Sequence, residues 1–292
     1  MNASQPHKAA VIDCHQHFWS LSRGDYHWIT PDLIPLDRDF GPADLAPLLQ
    51  DNAVGRTIAV QAAATIDETR FLLSLADNND FIAGVVGWVD MESPRAASDI
   101  AQLAANPKFK GIRPMARDYR GPEWLCDPAI VPAIESLARH GLRFEALVTV
   151  EHLESLRAMM SQYPDLRVVI NHAAKPDVRA GWSRAWGDRI ADIAANTSAY
   201  CKFSGLVTET DTPNSVDSLS PIFDHLLECF GAKRLMWGSD WPVLNLACTY
   251  DEWLSTTMTL IQQLNVEDRS RILGRNAVDF YALPTAEPKV LA

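Results

Sequence analysis

Two histidines one residue apart, His15 and His17, close a short apolar run in "VIDCHQHFWSL" (11–21). Side chains of a strand alternate faces, so these two imidazoles point the same way while Gln16 points the other. Paired imidazoles can hold a metal ion or line a polar catalytic pocket. The bland reading of any single one is a structural histidine satisfied by its neighbours. Partners of the right type occur elsewhere: "RVVINH" ends in His172 and "RLMWGSD" in Asp240. With His15 and His17 they make three nitrogens and one oxygen, a set suited to Zn²⁺ or a similar divalent ion. Glu145 in "RFEALVTV" reads as a fifth ligand, a partner behind the ligands, or pocket wall. Arg113 closes "FKGIRP", where a substrate clamp is favoured over a structural salt bridge. Lys202 in "YCKFSGL" stays open between a pocket residue and a stem that snorkels to solvent. His7, His27, His140, His152 and His225 read as surface, helix or loop residues.

These residues must be positioned by a repeating frame. Apolar or β-branched runs fall at 9–15, 56–62, 82–89, 109–114, 143–150, 167–172, 200–206 and 234–240. Helical patterns separate them, such as "DETRFLLSLADNN", "AASDIAQLAAN", "AIVPAIESLARHG", "EHLESLRAMMSQYP", "DRIADIAAN" and "IFDHLLECFG". Several end in Asn, Gly or Pro, as helix C-termini do. Alternating strands and helices predict a parallel sheet, and eight units over about 250 residues are the count of a (β/α)₈ TIM barrel. A doubly wound open sheet is the alternative, weakened because no Gly-rich dinucleotide fingerprint follows a strand. In a barrel the active site lies at the C-terminal ends of the strands. His15, His17, Gln61, Arg113, Glu145, His172, Lys202, Ser204 and Asp240 fall in or just after successive apolar runs. Burying that many polar groups without a use is expensive, and a polar pocket at the barrel mouth accounts for them.

The bulk numbers set limits. The chain has 292 residues, 47% of them hydrophobic, with no low-complexity linker, so one domain over 1–292 is expected. Net charge is −11 without a Lys/Arg run, which argues against nucleic acid or an anionic membrane as partner. No apolar run of spanning length exists, and "MNASQPHKAA" lacks the apolar core of a secretory signal. Five scattered cysteines without a CxxC read as free thiols in a reducing compartment, hence a cytoplasmic enzyme. A homo-oligomer is left open.

The motifs "VIDCHQHFWSLSRGDYHWI", "GIRPMARD", "VVINHAAKPD", "CKFSGLVTETD" and "RLMWGSDWPVLNLA" together resemble the amidohydrolase superfamily. More narrowly the chain is similar to its sugar-lactone hydrolases, the branch of L-fuconolactonase and L-rhamnono-lactonase, from about residue 10 to the closing "LGRNAVDFYAL". The resemblance implies a distorted barrel with metal-ligand positions at His15, His17, His172 and Asp240. It also implies that Asp240 takes a proton from the attacking water and delivers it to the leaving group. Binuclear members carry a bridging lysine at the end of the fourth strand. Here Arg113 stands there, and Lys110, an odd number of residues away, should face the helices. One divalent ion, zinc first, or none is therefore expected. Pro114 follows the Arg where some relatives have His, which bears on specificity.

The implied activity is hydrolysis of a sugar-acid lactone to the free acid in carbohydrate catabolism. Asp240, His172 and Arg113 are the expected catalytic groups, with Arg113 and the histidines donating to the oxyanion if no metal does. Lys175 in "NHAAKP" is expected to bind a ring hydroxyl or carboxylate. Trp19, Tyr26, Trp28 and Trp241 fall in or beside the mouth loops, where flat faces suit sugar rings, against the plain alternative of packing. A lactone isomerase and a metal-dependent decarboxylase on the same barrel are the competing activities, and a barrel that only binds ligand is the non-enzymatic one.

Overall fold

The computed structural model describes residues 11–115, 121–212 and 215–284. Eight parallel strands follow one another in sequence order around one sheet. They are β1 Val11–Gln16, β2 Val54–Val60, β3 Ile82–Gly87, β4 Phe109–Ile112, β5 Arg143–Ala146, β6 Arg167–Ile170, β7 Tyr200–Phe203 and β8 Leu235–Trp237. The predicted (β/α)₈ barrel forms, and each of the eight apolar runs supplies one strand. From β2 onward every strand stops two to four residues before its run does, because the polar residues there belong to the mouth loops. His7, residues 9 and 10, and the end of "GIRPMARD" lie outside the described residues.

The helices are α1 Pro42–Asp51, α2 Ile66–Asp77, α3 Ala96–Leu103, α4 Val131–Arg139, α5 Leu153–Gln162, α6 Arg184–Asn196 and α7 Val216–Phe230. After β8 come α8 Tyr250–Leu260, α9 Val266–Ser270 and α10 Asn276–Tyr281. Side-chain caps start several of them: Thr65 accepts from the Glu68 amide (3.1 Å) and Ser183 from the Trp186 amide (3.2 Å). Thr249 and Glu252 form a reciprocal capping box on α8. Each long helix buries one stripe against the sheet; on α7 it is Leu219, Ile222, Phe223, Leu226 and Phe230. None of the described helices is long and apolar enough to cross a membrane. All five cysteines are free thiols.

Two features of β1 position the site. Its register against β2 slips between Asp13 and Gln16: Asp13 pairs with Thr57 and Gln16 with Ala59, three steps against two. That is a bulge, and a bulge re-aims side chains. Cys14 packs with Ile12, Ile58, Val60 and Met236 in an apolar cluster that Phe280 and Tyr281 of α10 complete. His15 next to it also turns to the interior, where it meets Arg113 and Lys202. The second feature is the seam that brings β1 to the chain after β8. The Asp240 amide donates to the His15 carbonyl and the His17 amide to the Trp241 carbonyl, each at 2.7 Å. Asp13 staples the same seam, accepting from the amides of His15 (3.1 Å) and Ser239 (2.8 Å) and from the Tyr250 hydroxyl (3.0 Å).

Candidate active site

The seam sets His15, His17 and Asp240 side by side. One carboxylate oxygen, Asp240 Oδ1, lies 3.1 Å from His17 Nε2, 3.6 Å from His15 Nε2 and 3.8 Å from His172 Nε2. The His15 ring centroid is 5.0 Å from that of His17 and 4.5 Å from that of His172. All four side chains are buried. The residues that sequence placed at the ends of the first, sixth and eighth strands therefore meet at one point.

The backbone is strained where two of them enter. His172, Ala173, Ala174 and Lys175 have φ of 51°, 52°, 57° and 51°, four successive left-handed residues without a glycine. The Lys175 amide closes this turn on the His172 carbonyl (2.8 Å), and the Trp186 indole N–H holds the Ala173 carbonyl (2.8 Å). Asp240 is left-handed as well, with φ 61°. Gly205 lies against both groups: a Cβ there would stand 2.3 Å from His172 Nδ1 and 2.9 Å from Asp240 Oδ2.

Hydrogen bonds fix most of the proton positions. His17 Nδ1 faces the Val60 carbonyl at 2.8 Å, so it carries the hydrogen and Nε2 presents a lone pair. That lone pair faces Asp240 Oδ1 at 3.1 Å. Two acceptors so close require a positive charge between them, a metal ion or a proton. Burial pushes the His17 imidazolium down, which disfavours the proton. Burial also takes His172 down to about 3 against the pull of Asp240. It holds His15 well below the usual histidine range, with the Lys202 ammonium adding to the effect. Burial alone would raise Asp240, but the neighbouring His172 and His17 hold its carboxyl at about 2. These shifts favour one carboxylate among three neutral imidazoles, the state in which a cation between His17 and Asp240 is best held.

Those donors fit a divalent ion in type. His15, His17 and Asp240 each offer a ligand atom within 4.8 Å of the others. His172 stands just outside that trio, with Nδ1 on Ser204 Oγ (3.0 Å) and Nε2 free to turn to an ion. His15 is the least suited, since both of its nitrogens already face cations: Lys202 Nζ at Nδ1 and Arg113 Nη1 at Nε2, each at 3.2 Å.

Arg113 is buried and braced from β2: Nη2 donates to the Gln61 carbonyl and to Gln61 Oε1 (3.1 Å), and Gln61 Nε2 returns to the Arg113 carbonyl (3.0 Å). Lys202 does not snorkel outward; it is fully buried and ion-paired with Glu145 (2.6 Å). Lys175, partly exposed, pairs with Glu209 in the loop after β7.

The structure places the tryptophans in packing contacts. Trp19 and Trp241 are buried, as is Tyr26, and their faces meet protein. Trp19 packs edge-on to Phe40 (5.2 Å) and Trp28 (5.6 Å), Trp241 to Phe40 (5.3 Å) and Phe18 (6.1 Å). This aromatic cluster packs the loop after β1. Trp28 is half-buried, its indole N–H on the Ala62 carbonyl (2.8 Å). Tyr281, Asn171 and Asp13 escaped the sequence reading as site residues. Asp13 had a signal, an acid inside an apolar strand two residues before His15; Tyr281, at the end of a C-terminal helix, had none.

Known proteins share this fold and sequence. A family profile described as amidohydrolase matches residues 12–283. The L-fucono-1,5-lactonase of Burkholderia ambifaria is 44% identical over 276 residues, covering 93% of this chain and 95% of that protein. The L-fucono-1,5-lactonase of Burkholderia multivorans is 36% identical over 289 residues, covering 94% and 97%. A solved amidohydrolase from Burkholderia multivorans, described with bound zinc, superposes with a TM-score of 0.89. It is 35% identical and covers 94% of this chain and 100% of that one.

Proposed function

The chain belongs to the amidohydrolase family, and on that premise we propose that it hydrolyses a sugar-acid lactone, of the L-fucono-1,5-lactone class, to the free acid. The observation that carries the reading is the approach of Asp240 Oδ1 to three imidazole nitrogens within 3.8 Å, in a chain 44% identical to a named lactonase. The ionised Asp240 takes a proton from water as the water oxygen attacks the lactone carbonyl. The developing oxyanion accepts hydrogen bonds from the Arg113 guanidinium and an imidazole N–H. The ring C–O bond then breaks, and the alkoxide collects the proton held on Asp240. A divalent ion held by His17, His172 and Asp240 would polarise the carbonyl or lower the pKa of the water. The ion pair of Lys175 with Glu209 beside this cluster offers one donor and one acceptor to ring hydroxyls. The whole chain acts as one barrel on a small substrate, and cytoplasmic carbohydrate catabolism is the setting such a reaction fits.

A panel of aldono-1,5- and 1,4-lactones, read by pH indicator before and after chelation, tests this. Acid release from deoxy-sugar lactones is expected, and in ¹⁸O-water one solvent oxygen enters the new carboxylate. No release from any lactone rejects the proposal. Conversion without solvent oxygen makes the protein an isomerase instead.

A further inference from the structure

The opposite end of the barrel, where the strands begin, gathers positive charge. Arg143 opens β5 and Arg167 opens β6, and the two are register partners on neighbouring parallel strands. Both reach adjacent carbonyls of α10: Arg143 Nε donates to that of Phe280 (2.5 Å) and Arg167 Nη1 to that of Asp279 (3.1 Å). Lys110 joins them from β4. Strand parity alone points it at the helices, but the register against β3 slips. Val85 pairs with Phe109 and Val86 with Gly111, one step against two. The bulge turns Lys110 into the barrel instead. Gly84 makes room for it: a Cβ there would stand 2.6 Å from Lys110 Cγ and 3.2 Å from Ile58 Cδ1. Ile58 belongs to the apolar cluster that Phe280 and Tyr281 complete. Gly111, next to Lys110, is the register partner of Arg143.

Like charges facing each other on neighbouring strands repel. Burial and the Arg167 charge hold Arg143 down to about 10, and burial and the Arg143 charge lower Lys110. The carbonyls at the C-terminal end of α10 offset part of this repulsion. They do not account for Lys110, which has no hydrogen-bond partner among the described residues. Nor does any of Lys110, Arg143 and Arg167 form an ion pair with a carboxylate among those residues. The chain as a whole carries a net charge of −11, so three cations without an acid reverse the global field locally. Arg143 is buried, Lys110 half-buried and Arg167 exposed, so the cluster opens to solvent.

We propose that Lys110, Arg143 and Arg167 form a binding site for a phosphate dianion at the N-terminal end of the barrel. Guanidinium forks suit phosphate oxygens, and three charges from three adjacent strands match a dianion better than a monoanionic carboxylate. The phosphate comes as the free ion or as part of a phosphorylated metabolite. The site lies at the other end of the strands from Asp240 and does not depend on the lactonase reading.

Calorimetric titration of the chelated full-length protein with inorganic phosphate, at neutral pH and constant ionic strength, tests this. Saturable binding of one phosphate per chain is expected, with a rise in melting temperature as the site fills. The double variant Lys110→Met/Arg167→Gln keeps the stem over Gly84, keeps a donor for the Asp279 carbonyl and spares Arg143. It should weaken phosphate binding about tenfold or more, through the loss of two charge-assisted contacts. Without phosphate it should melt no lower than the wild type, because repulsion is relieved. If the double variant fails to fold, Lys110→Met alone, which breaks no hydrogen bond, decides by the same loss. A hexose phosphate bound more tightly than inorganic phosphate assigns the site to a phosphorylated metabolite, and equal affinity assigns it to the free ion. Absence of saturable binding overturns the proposal. So does binding unchanged in the folded variant, as for a phosphate held at the mouth, or acetate bound as tightly as phosphate.

Discussion

Replacing Asp240 by Asn separates the proposed acid–base role of the carboxylate from its place in the fold. The change keeps the side chain's shape and removes its charge. Asn tolerates the left-handed backbone, φ 61°, that Asp240 adopts, and its amide can donate to the His17 Nε2 lone pair 3.1 Å away. The stability loss is bounded by the carboxyl's depression from 3.8 to about 2. At ~1.4 kcal/mol per unit this is about 2 kcal/mol at neutral pH. The folded value lies below the unfolded one, so this stabilisation is present above pH 3.8 and is lost as pH falls through about 2. The activity loss should be larger. A positioned general base contributes about 10²–10⁴-fold, so Asp240→Asn should cut kcat by that factor, about 3–5 kcal/mol of barrier. Steady-state kinetics on the best lactone, with urea unfolding beside them, give both numbers. A variant that folds and keeps kcat within tenfold of wild type would refute the assignment of Asp240 as the base.

Two further changes probe the frame. Gly205→Ala should lower kcat more than 100-fold, because its Cβ would stand 2.3 Å from His172 Nδ1 at φ +62°. Gly231→Ala, at φ +60° and ψ 166° with nothing within 4 Å, is the control and carries only a backbone cost of about 1–3 kcal/mol; equal kcat in the two variants would contradict the close packing. Glu68→Gln addresses pH, since burial raises this carboxyl from 4.5 to about 8. A raised carboxyl stabilises the fold fully below pH 4.5 and loses that contribution as pH rises through 8. Urea titrations of wild type and variant should therefore differ in slope by up to ~1.4 kcal/mol per pH unit between about pH 5 and 7.5, and parallel curves would reject it.

The sequence carried the barrel because buried β-branched runs alternate with amphipathic ones, a pattern few other folds need. Helix α1 was not read, since Pro42 and Pro47 interrupt its pattern, although Pro42 is suited to a first turn. His15, His17, His172 and Asp240 stood out because each ends an apolar run in a polar group, and chain order in a barrel brings the first and last strands together. The bulge between Asp13 and Gln16 left no mark in "VIDCHQH", because alternation alone already puts His15 and His17 on one face. The direction of Lys202 was ambiguous for a related reason. Neighbours on both sides, Cys201 and Phe203, are apolar, and only strand parity against Glu145 separates inward from outward. The packing of Trp19 and Trp241 was not legible, because a ring beside a site residue serves packing as readily as substrate and their shared partner, Phe40, comes from another turn of the chain.

Strain and the candidate site coincide too closely to be independent. Of the seven non-glycine residues with positive φ among those described, five are His172, Ala173, Ala174, Lys175 and Asp240. At about 1–2 kcal/mol each, their intrinsic cost is about 5–10 kcal/mol, comparable to the whole net stability of an ordinary domain. Specific bonds hold them: Trp186 to Ala173, Lys175 to His172, Asp240 to His15, and the Leu244 amide to the Asp240 carbonyl (3.1 Å). A chain selected for stability alone would place glycine in such a turn. Retaining side chains there requires that their direction matter, and the two polar ends of this strained backbone face each other: His172 Nε2 lies 3.8 Å from Asp240 Oδ1. Stabilising substitutions are therefore to be sought away from the seam and the His172 turn, where relief of strain does not move the reacting groups.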